Sequence, residues 1–291
     1  MPAGSPIVTS ASPRLLTNSN ATIARATRAV TWFALPAIGG LAAISPAAAR
    51  VILFALIASI GIGHGANDDL ILSRLAPELR GGRATISASY GVLFAAVFAL
   101  AVRFPQSAER ALAALSVWHF GNGDAALAHA AGSRRGSLLE ALVRGLVPIA
   151  ISSDRTRARY AWPALAFAAS HAARRAPGDA LDIAIPAATL ALAPAPYGFA
   201  AYFGAWHSPR HLAVVLQRDV RGGSAGERFV RFVRESLRNV AISGVVGAVA
   251  YAVFRDRDPH EIFVALTLAV TVPHEAAVWY AERAANLPEG R

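Results

Sequence analysis

The sequence predicts an all-α protein, a polytopic helical bundle with roughly 8–10 membrane segments, since crossing a bilayer takes about 20 apolar residues. Three observations lead there. Hydrophobic residues fill 55% of the 291 positions and charged residues only 16%, whereas an ordinary soluble domain is roughly a quarter charged. Mean hydropathy is +0.42, which is more apolar matter than a soluble core of this length can hide. The apolar residues also fall in runs separated by arginines, the pattern of spanning segments and interfacial loops.

Residues 1–28 are rich in Ser, Thr, Asn and Pro, with no compact apolar stretch followed by a small-residue cleavage site. They read as a flexible polar N-terminal tail and not as a secretory signal. Apolar runs follow near 30–49, 51–73, 84–103, 110–132, 136–151, 160–173, 180–194, 197–217, 237–254 and 259–281. The runs at 136–151 and 160–173 are short for a crossing and read as tilted, interrupted or re-entrant. No internal repeat or long linker divides them, so residues 29–291 read as a single membrane-embedded domain. The widest polar stretch, 218–238, reads as an amphipathic basic loop or interfacial helix. With the N-terminus inside and ten crossings, the inner loops hold roughly twice as many arginines as the outer ones. The expected location is therefore the cell membrane, with a cytoplasmic N-terminus.

The net charge is +10 and the isoelectric point about 11.1. In a soluble protein this balance suggests nucleic acid. Here the arginines cluster between apolar runs, as in Arg134-Arg135 and Arg174-Arg175, and no nucleic-acid-reading element is present. Every basic residue apart from histidine is arginine. The chain has no cysteine, which excludes disulfides, thiolate catalysis, iron–sulfur clusters and cysteine-based zinc sites. Any metal must be held by His, Asp, Glu or backbone oxygen.

The eight histidines are unevenly placed. His64, His119, His207, His211 and His274 lie well inside apolar runs, while His129, His171 and His260 lie near run ends or in a loop. His64 is ten residues before Arg74, His119 nine after Arg110, His207 eleven before Arg218 and His274 nine before Arg283. On a helix those separations are roughly 13–17 Å, near the middle of a hydrocarbon core about 30 Å thick. An ionisable side chain at that depth faces the bundle interior and has a partner. A single one reads as a core group bonded to a backbone carbonyl. Five on four segments at similar depth point to a polyhistidine metal site, with a proton relay as the competing explanation.

The stretch "WHSPRH" places His207 and His211 at i and i+4, on one helical face and at a spacing that chelates one ion. Pro209 lies between them and cannot donate to the carbonyl of Ala205, so a kink is expected. The alternative is a turn in which Ser208 caps a new helix that has Pro209 as its first residue. In "GIGHGANDDL" the glycines let backbones approach closely around His64, and Asp68 stands one helical turn beyond it. In "WHFGNGD" Asp124 follows His119 by five residues. A carboxylate so placed can accept the second ring N–H of a ligand histidine, or it can serve a substrate site or proton path. "VPHEA" adds His274 and Glu275, each a candidate to bind the metal, to orient one of its ligands or to line a polar cavity.

Taken in order, "GIGHGANDDLIL", "SVWHFGNGD", "VRGLVPI", "AYFGAWHSPRHL" and "TVPHEAAVWY" resemble the Brp/Blh family of membrane β-carotene dioxygenases, over about residues 61–280. The resemblance implies an enzyme with one non-haem Fe(II). It would cleave the central double bond of β-carotene with O2 to give two retinal molecules, so that a retinal-using rhodopsin is an implied partner. It also implies His64, His119, His207 and His211 as iron ligands and catalytic residues. Asp68, Asp124 and His274 match further family positions. Three positions depart from the family pattern: Gly63 replaces a proline, Asn122 an acidic residue and Glu275 a methionine. These changes leave the histidines in place and alter the lining around them.

Other classes use similar residues. Another membrane iron oxygenase would act on a different carotenoid or a lipid. Di-iron desaturases need several closely spaced histidine boxes, and this chain has one, at 207–211. A haem protein would use two facing histidines and leave the others unexplained. A transporter with a histidine proton relay needs no iron.

Overall fold

The structure is a computed structural model that describes residues 18–61, 65, 67–68, 72, 82–133, 138–153, 158–174, 176–194, 197–217 and 223–285. Its regular elements are all helical, with no strand among the described residues. The apolar runs of the sequence reappear as α1 (Asn18–Ile44), α2 (Pro46–Leu56), α3 (Gly82–Arg103), α4 (Pro105–Ala130), α5 (Leu138–Ser153), α6 (Ala158–Ala173), α7 (Pro177–Leu192), α8 (Tyr197–Tyr202), α9 (Ser208–Gln217), α10 (Ala225–Val253) and α11 (Pro259–Ala285). Among the described residues, four stretches are long and apolar enough to cross a membrane: Ala21–Ile44, Ala84–Arg103, Ala225–Val253 and Pro259–Tyr280.

Several element boundaries differ from the sequence expectation. The expected polar tail runs to residue 28, yet α1 begins at Asn18 and Arg28 is buried within it. The run 30–49 is broken at Ser45, because Pro46 takes an opening position of α2, where its missing N–H costs no helical bond. The basic stretch 218–238, read as a loop or an interfacial helix, is helical from Ala225 onward. Ser224 and Glu227 form a reciprocal capping box there, with the Glu227 N–H donating to Ser224 Oγ and the Ser224 N–H to Glu227 Oε2.

The contacts group the chain into two compact units. The first gathers Pro13–Gly61 with Ser116–Arg218. In it α7 packs against α1, α5 and α6. Leu35, Phe120, Ile151, Ile183, Leu190, Tyr202 and Trp206 belong to its buried core. The C-terminal half of α4 meets α5 at unusually short range. A Cβ on Gly121 would lie 2.0 Å from the carbonyl oxygen of Ala141, and one on Gly145 would lie 1.7 Å from that of Val117. Only glycine at both positions allows this backbone contact.

The second unit gathers Ile62–Leu115 with Asp219–Arg291. Here α3 packs along α11. Ala101, Val264, Ala265 and Leu268 are buried together, and the Tyr90 hydroxyl donates to the Val270 carbonyl at 3.3 Å.

Candidate metal centre

The segment 197–217 is a single helical run with a wide turn inside it. Phe203–His207 forms a π-helical turn between α8 and α9. Ser208 continues in right-handed helical geometry, and its N–H donates to the carbonyl of Phe203, five residues back. The Ser208 hydroxyl donates to the same carbonyl at 2.7 Å. Pro209 therefore sits in a continuing helix whose irregular hydrogen bonding is absorbed by a π turn and a serine, instead of starting a new helix after a cap. Such single π turns recur at functional sites.

The turn brings three histidines of the first unit together. His207 Nε2 lies 3.1 Å from His119 Nε2 on α4. A ring nitrogen of His119 and one of His211 lie within 4.8 Å of each other. The ring centroids are 4.9 Å apart for His119 and His207, 5.7 Å for His119 and His211, and 6.0 Å for His207 and His211. All three side chains are buried. Gly123 passes beneath them: a Cβ there would lie 3.5 Å from His207 Cε1 and 3.9 Å from His211 Nδ1. Phe120 stands edge-on to His207 with its centroid at 4.5 Å. Two nitrogens bonded to one metal at about 2.1 Å are roughly 3.0–3.4 Å apart. The 3.1 Å separation meets that condition, and a neutral imidazole set suits iron. The His119–His207 pair thus has the spacing that the ion implied by the sequence resemblance would require.

The aspartates behave differently from one another. Asp124, expected near His119, is 1% exposed and accepts hydrogen bonds from Trp206 Nε1 at 2.9 Å and the Tyr202 hydroxyl at 3.3 Å. It holds the segment that carries the histidines through its aromatic residues. In the second unit, both Asp68 oxygens lie within 3.0 Å of His274 Nδ1. That contact assigns Nδ1 as the donor and gives the neutral ring its lone pair at Nε2, the arrangement of a carboxylate-oriented ligand histidine. Gly65 lies against this ring: a Cβ there would lie 3.5 Å from His274 Nδ1. Glu275 is half-buried on the same helix. His64 lies outside the described residues. His260 is exposed beside Glu109 at 3.7 Å, and His129 Nδ1 lies 3.2 Å from the Ser133 carbonyl.

A sequence model of the Beta-carotene 15,15'-dioxygenase family matches residues 55–161 and 160–280. The chain belongs to this family. The match encloses every histidine of the cluster and both aspartates. No curated protein and no solved structure matches the chain.

This dioxygenase-family chain also contains functional candidates that sequence reasoning missed. Arg28, Arg144 and Arg210 are buried in the first unit, although arginines read as loop punctuation. Asp182, 2% exposed, receives all three: Arg210 Nη2 at 2.7 Å, Arg28 Nη2 at 2.7 Å and Arg144 Nη1 at 3.2 Å. Arg144 also donates to Glu140 at 2.7 Å, and Trp32 Nε1 donates to Asp182 at 2.8 Å. The available signal was a charge inside an apolar run: Asp182 falls in 180–194, Arg144 in 136–151 and Arg210 in 197–217.

Proposed function

We propose that this chain cleaves the central double bond of β-carotene with O2 at a non-haem Fe(II) held by His64, His119, His207 and His211. The observation that carries the reading is the convergence of the His119, His207 and His211 imidazoles in a member of this family. His64 enters from the sequence resemblance alone. One carbon–carbon double bond breaks and two aldehyde C=O bonds form. Both oxygen atoms of O2 end in product, and no outside reductant is needed. Iron, when bound, would supply the O2 and one-electron chemistry.

The chain's own residues supply the setting. His119, His207 and His211 present ring nitrogens from two helices, and Asp124 holds the second helix in place through Tyr202 and Trp206. Phe120 and Tyr202 pack around His207 and keep water from the rings. A polyene as apolar as β-carotene partitions into lipid, so a buried site in a membrane-embedded chain can receive it without its passing through water. The N-terminus lies on the cytoplasmic side in this reading, and the product would serve a retinal-using protein such as a rhodopsin.

Expression in a β-carotene-accumulating host tests the proposal. Loss of carotene colour with retinal appearing is the expected result. Carotene retained in cells that hold folded, iron-loaded protein would overturn it.

A further inference from the structure

The histidine cluster depends on a rotational setting that the histidines do not themselves fix. His207 and His211 are turned toward His119 only in one rotation of the 197–217 segment. A π turn adds one residue to a helical turn, and each residue is worth about 100° of rotation at 3.6 residues per turn. Losing the wide turn would swing one end of the segment by that angle relative to the other. Something must therefore hold the π turn against relaxation to a regular helix.

Arg210 is the residue placed to do so. It stands three residues after His207 and one before His211, and its side chain is 1% exposed. Four separate elements grip it. Its Nε donates to Thr31 Oγ1 of α1 at 2.9 Å. Its Nη2 donates to Asp182 Oδ1 of α7 at 2.7 Å. Its guanidinium lies over the Trp206 ring of the π turn, 3.6 Å from the centroid. Its Nη1 is 3.9 Å from Asp124 of α4, the same carboxylate that accepts from Trp206 and Tyr202. Tyr202, Trp206 and Arg210 thus form an i, i+4, i+8 stripe clamped by charge. His207 and His211 lie on the neighbouring stripe and face His119.

We propose that Arg210 is the positioning residue of the histidine cluster. Its planar fork, locked by Asp182, Thr31 and Trp206, holds the π turn in the rotation that turns His207 and His211 toward His119. The role of this rotation in metal binding rests on the metal reading above, whereas the rotation itself does not. Lysine cannot replace arginine here, because an ammonium on a flexible stem neither stacks nor bonds in a fixed fork.

The test uses the full chain in detergent, with two readouts. The first is Co(II) affinity, with the cobalt visible spectrum as a monitor of imidazole coordination. Arg210→Lys is expected to weaken Co(II) binding by about 10–100-fold, the range for groups that orient ligands, with far-UV circular dichroism unchanged. The double variant Arg210→Gln, Asp182→Asn removes one charge of each sign, leaves Arg28 paired with Asp179 and Arg144 with Glu140, and covers the case in which the single change does not fold. It is expected to bind Co(II) as weakly.

The second readout is independent of metal. The chain has no cysteine, so His119→Cys with His207→Cys gives one thiol pair for a short bifunctional crosslinker. Crosslinking should be efficient with Arg210 present and fall severalfold in the Arg210→Lys background. Unchanged crosslinking in both Arg210 backgrounds would overturn the positioning role, whatever the metal result. Crosslinking that depends on Arg210 in a chain that binds no Co(II) would uphold the positioning role and overturn the metal reading instead. Wild-type Co(II) affinity in both Arg210 variants would overturn the link between this rotation and metal binding.

Discussion

At the scale of single residues, the buried polar side chains around His119, His207 and His211 have distinct geometric tasks. His211 reaches the cluster only because the i, i+4 spacing survives the π turn. Changing His211→Ala removes one imidazole and leaves a side chain that any helix accepts. Iron occupancy in the purified protein should fall sharply while helical content stays constant, which metal analysis and far-UV circular dichroism measure together. Full occupancy in that variant would remove His211 from the ligand set. Asp68→Asn should lower metal affinity less than His211→Ala does, because Asp68 bonds His274, which is not among the proposed ligands. The histidines were legible because an imidazole deep in an apolar run demands an explanation. The partners of the aspartates were not. Spacing along the chain suggests His119 for Asp124 and His64 for Asp68; it does not reveal the bonds from Asp124 to Trp206, 82 residues on, or from Asp68 to His274, 206 residues on. Side-chain pairing across helices follows from packing, which one-dimensional spacing does not record.

At the scale of elements, helix positions were readable because hydrophobic runs of about 20 residues have few alternatives in lipid. The ends were less readable. The arginines of 218–238 leave a basic loop or an interfacial helix open; Ser224 and Glu227 start a helix there that continues to Val253. The π turn was unreadable as such: Pro209 announced an irregularity, but the choice between a kink, a new helix and a wide turn depends on what Ser208 and Arg210 bond. The close α4–α5 contact gives a direct test of element packing. In Gly145→Val, the added Cβ would have to occupy space 1.7 Å from the Val117 carbonyl oxygen. Overpacking of this kind costs about 1–3 kcal/mol or more, so the thermal midpoint should drop clearly. Because α4 carries His119 and Asp124, metal affinity should drop with it. An unchanged midpoint would mean that the two helices do not meet at these glycines. A reporter fused within the arginine-rich stretch 218–238 should read as cytoplasmic if the arginine balance sets orientation; an external reading would invert the assignment.

At the scale of the whole molecule, the sequence carried the class: an apolar, cysteine-free, histidine-bearing helical chain whose motifs follow one family's order. It did not carry the buried ionic network of Arg28, Arg144, Arg210, Asp179 and Asp182, because arginine is the usual residue of inner loops and nothing in composition separates a buried arginine from an interfacial one. A network of this kind is expensive to bury and is retained where each charge is paired and hydrogen-bonded. In this chain it stands beside the candidate ligands, which ties the fold of the first unit to the proposed chemistry. The most direct test of that chemistry is the stoichiometry of the purified, iron-reconstituted protein given β-carotene and O2. The expected result is about one iron per chain and two retinal formed for each β-carotene consumed, with activity lost on chelation and restored by Fe(II). Retinal formation that persists in metal-free protein, or iron-loaded protein that leaves β-carotene intact, would contradict it.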